Sequence, residues 1–264
     1  MIVFVQYLLI LFHSIIKNNK RLLKSFYQGR IFNVLTYFFR IISFFIIKEK
    51  IHTVRNLSSK IKFNFFIPLK DQYKHKNPTS LWRVFGIYEP YTSLAIEKYC
   101  EKSDVVLELG AAYGYHTIQF SKICSEVHSV EPSDYVEPLL KNNIKINNLK
   151  NVKTYKHAIG EHKKKIKVDE KIIEQISLDF FLKNSKISPT IIFIDCDSQE
   201  LEGKITVHEF EILKMIFTEF KNRKIKIILE TKHHSEFKNL INEENNYNFE
   251  QISHRHYFIY KDNI

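Results

Sequence analysis

From about residue 81 onward the chain repeats one pattern, a short apolar run followed by a longer amphipathic stretch. Val105-Val106-Leu107 precedes a helical Tyr115–Ile123, and Val127–Val130 precedes a helical Val136–Ile146. Val152–Tyr155 leads to a small-residue turn, Ala158-Ile159-Gly160. Ile191–Ile194 then precedes a helix over 205–220, and Ile225–Leu229 one over 235–243. Strands alternating with helices predict a parallel sheet in an α/β domain, with ligands outside the carboxyl ends of the strands.

The first hundred residues follow another rule. The chain carries 40 Lys+Arg against 29 Asp+Glu, a net +11, and a pI near 9.3 raises nucleic acid or an anionic membrane as partners. Residues 1–100 hold 16 basic and 4 acidic groups, whereas 101–264 hold 24 and 25, so the whole excess sits in front. At 44 % hydrophobic and 26 % charged the chain is too apolar to be wholly disordered. No run reaches the ~18 clean apolar residues of an ordinary membrane span, which argues against a polytopic transporter.

Residues 1–50 read as two amphipathic helices. Gln6, His13, Lys17, Lys20 or Arg21, Lys24 and Gln28 form one polar stripe, and Asn33, Thr36, Arg40 and Ser43 form another. Gly29-Arg30 breaks them apart. No basic residue precedes the first apolar run and no small-residue cleavage site follows it, so a secretory signal is not expected. The faces suit an anionic membrane surface, Phe, Ile and Leu inward and Lys and Arg toward headgroups. The alternative is that they pack on the body or on a second subunit. Residues 51–80 read as a basic connector, with a short strand near Ile61–Leu69 ended by Pro68. Cys100, Cys124 and Cys196 form no C-x-x-C, which favours a reducing, cytoplasmic setting, peripheral to the membrane.

The chain has six glycines, and two directly follow the first body strand, in Glu108-Leu109-Gly110-Ala111-Ala112-Tyr113-Gly114. There they let backbone approach a ligand and allow positive φ at the turn into the helix. The next strand ends in Glu131, 21 residues after Gly110, where an acid accepts hydrogen bonds from ribose hydroxyls. The G-x-x-x-G spacing lacks the G-x-G-x-x-G that wraps a pyrophosphate, and no GxxxxGK[ST] is present. A ligand with a ribose and no phosphates fits better, and S-adenosylmethionine is the common one.

Residues 85–264 resemble the FkbM-type family of S-adenosylmethionine-dependent methyltransferases. The matching segments include FGIYEPYTS (85–93), SDVVLELGAAYGYHT (103–117), VHSVEPS (127–133), HAIGE (157–161), ISLDFFL (176–182), IIFIDCDSQELEG (191–203) and IILETKHH (227–234). The resemblance implies a doubly wound, seven-stranded, mostly parallel Rossmann-like sheet over 81–264 with the helical extension in front. It implies that Glu108, Gly110, Ala111, Tyr113, Gly114 and Thr117 shape the loop at the methionine end of the cofactor. Glu131 and Pro132 would meet the ribose, Ala158 and Ile159 the adenine, with Glu89 and Asp195 completing the cofactor contacts. The fourth strand departs from the family's Ile-Lys-Ile-Asp-Val-Glu-Gly-x-Glu, with Phe193 for Lys, Asp197 for Glu and Ser198 for Gly.

Methyl transfer to a hydroxyl needs alignment and a base for the departing proton. Asp195 is the first candidate, Asp197 the second, and Glu230 and His233 the third. Asp195, Asp197 and Glu200 are also spaced to hold Mg²⁺ or to form a solvated loop, and no metal site is assigned. His116 and His157 read as structural residues at the edge of the site, and Lys163–Lys167 as a solvated turn. The leading expectation is an enzyme that O-methylates a small-molecule or glycan hydroxyl at a membrane surface. A nucleic-acid methyltransferase is disfavoured, because Asp195-Cys196-Asp197-Ser198 lacks both the Pro-Pro-aromatic motif and a Pro before Cys196. A membrane adaptor on a degenerate fold remains the non-enzymic alternative.

Overall fold

The computed structural model describes residues 51–68, 79–169, 171–196, 199–201, 204–206, 208–243 and 247–261. The amphipathic helices expected over residues 1–50, and Asp197, lie outside them. Among the described residues no helix is long and apolar enough to cross a membrane. The chain divides between Ser93 and Leu94 into two units.

The first unit contains an antiparallel hairpin of β1 (Ile51–Arg55) and β2 (Lys62–Phe66), followed by α1 (Thr79–Phe85). His52 and Val54 on one strand and Phe63 and Phe65 on the other turn inward, the period-2 alternation of a half-buried hairpin. Asn56 makes the turn, its Oδ1 accepting from the N–H groups of Ser58 and Ser59 at 2.9 and 2.8 Å. The stretch expected as a connector thus contains a folded hairpin.

α2 (Pro90–Tyr99) leads into the second unit. Its main sheet is built from β3 (Val105–Leu109), β4 (Glu126–Val130), β5 (Val152–Tyr155), β9 (Ile191–Ile194), β12 (Lys226–Glu230), β13 (Asn248–Gln251) and β14 (His256–Tyr260). The order is β13-β14-β12-β9-β3-β4-β5; every neighbour from β12 to β5 is parallel, and β14 runs antiparallel to both β12 and β13. This is the seven-stranded, Rossmann-like doubly wound sheet that the resemblance implies. The central strands read as unbroken apolar runs because both faces are covered. On one face Val106, Val127, Ile191, Phe193 and Ile228 pack with Ala95 and Ile96 of α2 and with Phe120 of α3 (Tyr115–Ile123). On the other, Leu107, Leu109, Ile192, Ile194, Ile227 and Leu229 meet α5 (Leu178–Ser185), α6 (His208–Glu219) and α7 (His234–Glu243). Between β4 and β5 lies α4 (Glu137–Ile146).

A side sheet, β6-β8-β7, corrects two readings. Ala158–Gly160, expected as a turn, is β6, buried and parallel to β8 (Lys171–Ser177). The lysine run expected as a solvated turn is β7 (Lys164–Val168), antiparallel to β8, with Ile166 buried between outward lysines. The helix expected from 205 begins at His208, after the short strands β10 (Gln199–Leu201) and β11 (Lys204–Thr206). His116 is buried, its ring edge-on to Phe193 at 5.6 Å, and His157 is exposed.

Candidate functional site

The parallel register lines up the carboxyl ends of four strands. Val130 pairs with Leu109, Leu109 with Ile194, and Ile194 with Leu229. The residues one step further along are Glu131, Gly110, Asp195 and Glu230, so these four form one row across the sheet edge. At a strand spacing of about 4.8 Å, the row runs roughly 14 Å from Glu131 to Glu230. The chain steps outward from β3 to β4 and β5, then returns to β9 on the other side of β3. The topological switch point, where ligands of such sheets bind, therefore falls at Gly110 and Asp195.

Gly110 is required by the packing there. Its φ is +88°, and a Cβ would lie 2.0 Å from the carbonyl oxygen of Asp195. The Asp195 N–H in turn donates to the Leu109 carbonyl at 3.0 Å, closing the ends of β3 and β9 together. Gly114 also has positive φ, +85°, and caps α3 with its Cα facing Leu140 of α4. Tyr113 between them presents its carbonyl to Asn143 Nδ2 at 2.8 Å.

The N–H groups of this loop are largely committed. Those of Gly110 and Ala111 donate to the Val130 carbonyl at 3.1 and 3.0 Å, that of Gly114 to the Ala111 carbonyl, and that of Ala112 to Glu131 Oε2 at 2.8 Å. Four of the five loop amides are thus used inside the protein, and they are the groups a phosphate cradle would need.

Glu131 has both oxygens fixed, Oε2 by Ala112 and Oε1 by the Ser133 N–H at 2.9 Å. Each carboxylate oxygen keeps a further lone pair for a ligand. Burial raises its pKa, the N–H groups of Ser133 and Ala112 lower it, and the negative charges of Asp169 and Glu137 raise it again. Pro132, half-buried, sets the turn between Glu131 and Ser133.

Glu108 lies one residue below the row, on the face covered by α3. It is 1 % exposed and accepts from Thr117 Oγ1 at 2.5 Å and Ser129 Oγ at 2.6 Å, both on the same oxygen. Burial pushes its pKa up to about 7, against the pull of the two hydroxyls. Its partner on β9 is Phe193, where the family resemblance would place a lysine. Glu108 and Thr117 therefore spend these groups on each other, beneath the loop that they support.

On the acceptor side, Glu230 is half-buried and lies 3.3 Å from His256 Nε2, its partner across the antiparallel β12–β14 register. Arg255 Nη1 stands 3.9 Å away. Asp195 is half-buried. His233, just ahead of α7, has its backbone N–H on Thr231 Oγ1 at 3.1 Å and its Nδ1 4.0 Å from Glu236 in the first turn of that helix. Ala158 and Ile159 are buried in β6, and His208 Nε2 donates to the Ile159 carbonyl at 2.7 Å. Glu89, in the first unit, has a left-handed backbone, φ +39°, just ahead of α2.

Ser129, Ser133, Asn143, His208 and His256 escape the sequence reading. Ser133 alone carried a signal, a serine three residues before the helix start expected at Val136, and its Oγ accepts from the Val136 N–H at 2.9 Å.

No family model matches the chain, and no curated protein matches it. Among solved structures it is similar to a methyltransferase FkbM from Methylobacillus flagellatus KT, with a TM-score of 0.45 and 16 % identity over 66 % of this chain. The match spans 48 % of that protein, about half its length. It is also similar to an rRNA methylase from Streptococcus thermophilus, with a TM-score of 0.43 and 7 % identity over 67 % of this chain and 96 % of that one. Fibrillarin from Aeropyrum pernix, in complex with natively bound S-adenosyl-L-methionine, gives 0.37 and 13 % over 61 % and 67 %. The chemistry of the site is therefore built from this chain's own residues.

Proposed function

We propose that the chain is an S-adenosylmethionine-dependent methyltransferase that methylates a hydroxyl, on a sugar, glycan or lipid-linked saccharide at a membrane surface. One observation carries the cofactor reading. Glu131 offers a fixed carboxylate for a ribose diol, beside a loop whose amides are too committed to hold a pyrophosphate.

The residues present fit such a group. The glycines at 110 and 114 keep two Cβ atoms out of the loop, and Glu131 supplies the diol acceptors. When bound, S-adenosylmethionine supplies an electrophilic methyl on a sulfonium. Glu131 would hold the nucleoside end, and Ala158 and Ile159 would offer small apolar surface to the base. The acceptor would sit further along the row, where Asp195 or Glu230 takes the hydroxyl proton. One Glu230 oxygen faces His256 Nε2 at 3.3 Å and the other Arg255 Nη1 at 3.9 Å, so two basic groups orient the carboxylate that would take the proton. The hydroxyl and saccharide part rests on the sequence resemblance, and the membrane part on the basic, aromatic front of the chain. Calorimetric titration of the protein with S-adenosylmethionine tests the reading. A saturable heat is expected, and a folded protein giving none would overturn it.

A further inference from the structure

The hydrogen bonds that hold Glu131 continue past its own loop. Ser133 gives its N–H to Glu131 Oε1 and its hydroxyl proton to Asp169 Oδ2. The same hydroxyl oxygen accepts from the N–H groups of Tyr135 and Val136, at 3.2 and 2.9 Å. These contacts leave Ser133 little freedom, so the place of Glu131 is tied to that of Asp169. Asp169 sits in the turn between β7 and β8, with φ +48°. Two residues on, Lys171 pairs with Asp134, whose other oxygen takes Lys156. The tip of the hairpin is thus pinned at two adjoining points to the loop that carries the acid.

The hairpin does not need these pins to form. β7 and β8 pair along their length from Lys164↔Gln175 to Val168↔Lys171, and Ile166 anchors them. The turn into α4 does not need Asp169 either, since the Ser133 oxygen serves it directly. What the Ser133–Asp169 bond adds is a fixed relation between hairpin and Glu131. The charge of Asp169 opposes ionisation of Glu131, so its contribution is geometric.

We infer that Asp169 is a positioning residue for the ribose-binding carboxylate Glu131, which makes the β7–β8 tip a working part of the nucleoside site. The inference rests on the cofactor reading proposed above. By linkage, a ligand that grips Glu131 must also steady the hairpin.

The test titrates S-adenosylhomocysteine into the full chain, with amide hydrogen exchange followed over residues 164–176. Asp169→Gly removes the carboxylate and suits the left-handed backbone, so the turn survives. Its affinity is expected to fall roughly tenfold. Asp169→Asn keeps an acceptor oxygen and tolerates the same backbone, and it recovers most of that loss. In wild type the ligand slows exchange in the hairpin, and in Asp169→Gly that slowing disappears. Undiminished affinity in Asp169→Gly overturns the inference, and so does weaker binding with hairpin protection intact. A wild type that takes up no S-adenosylhomocysteine fails earlier, at the cofactor reading, and the inference falls with it.

Discussion

Replacing Glu108 by glutamine gives a sharp test of the support beneath the loop. The carboxyl is buried, has two hydroxyl donors and faces Phe193 on the neighbouring strand. Its pKa of about 7 in the fold compares with 4.5 in an exposed glutamate. The folded chain therefore holds a proton that the unfolded chain releases between those values. The stability due to neutral Glu108 is complete below 4.5 and is lost as pH rises through about 7. The whole titration is worth about 3 kcal/mol, of which roughly 2.5 falls between pH 5 and pH 8. The substituted glutamine stays neutral, at a constant cost of about 1–3 kcal/mol for amide hydrogens that the two hydroxyl donors cannot satisfy. Urea unfolding of wild type and Glu108→Gln at pH 5 and pH 8 isolates the difference, because other titrating groups cancel. The gap should move by roughly 2.5 kcal/mol in favour of the variant at the higher pH. A gap that stays constant would refute the buried, proton-holding carboxyl.

Gly110→Ala places a Cβ against the Asp195 carbonyl at a φ of +88°, and the backbone alone costs about 1–2 kcal/mol. Denaturation should show a loss of at least that size together with weaker S-adenosylhomocysteine binding; a variant as stable as wild type would contradict the contact. If the front of the chain binds membranes, the protein should float with vesicles containing phosphatidylserine and release as salt rises past the screening range. Reversing Lys17, Lys20, Arg21 and Lys24 to Glu should abolish flotation, whereas unchanged flotation would show that these basic residues do not carry the membrane binding.

What the sequence made legible was the part with a strong local signature. The central strands are apolar on both faces, so their runs stand out, and the row of Glu131, Gly110 and Asp195 follows each run directly. β7 was hidden because its inward Ile166 lies among lysines, and a charge run looks like a solvated turn when its partner β8 is unknown. β6 is three small residues whose strand character comes from pairing with β8. The hairpin over Ile51–Phe66 was half visible, since Ile61–Leu69 alternates clearly and its partner strand does not. His256 beside Glu230, and Ser133 on Asp169, depend on pairings across 26 and 36 residues that no local pattern encodes. The roles of Glu108 and Thr117 needed the packing of α3 to separate support from ligand contact.

Glu131 and the committed loop amides should select a nucleoside without phosphates. Equilibrium titration of the full chain with S-adenosylmethionine and, separately, with NAD tests it most directly. Saturable binding of S-adenosylmethionine is expected, weakened at least tenfold in Glu131→Ala through lost hydrogen bonds to a charged group, with no uptake of NAD. Binding of NAD in preference, or S-adenosylmethionine binding indifferent to Glu131, would contradict it.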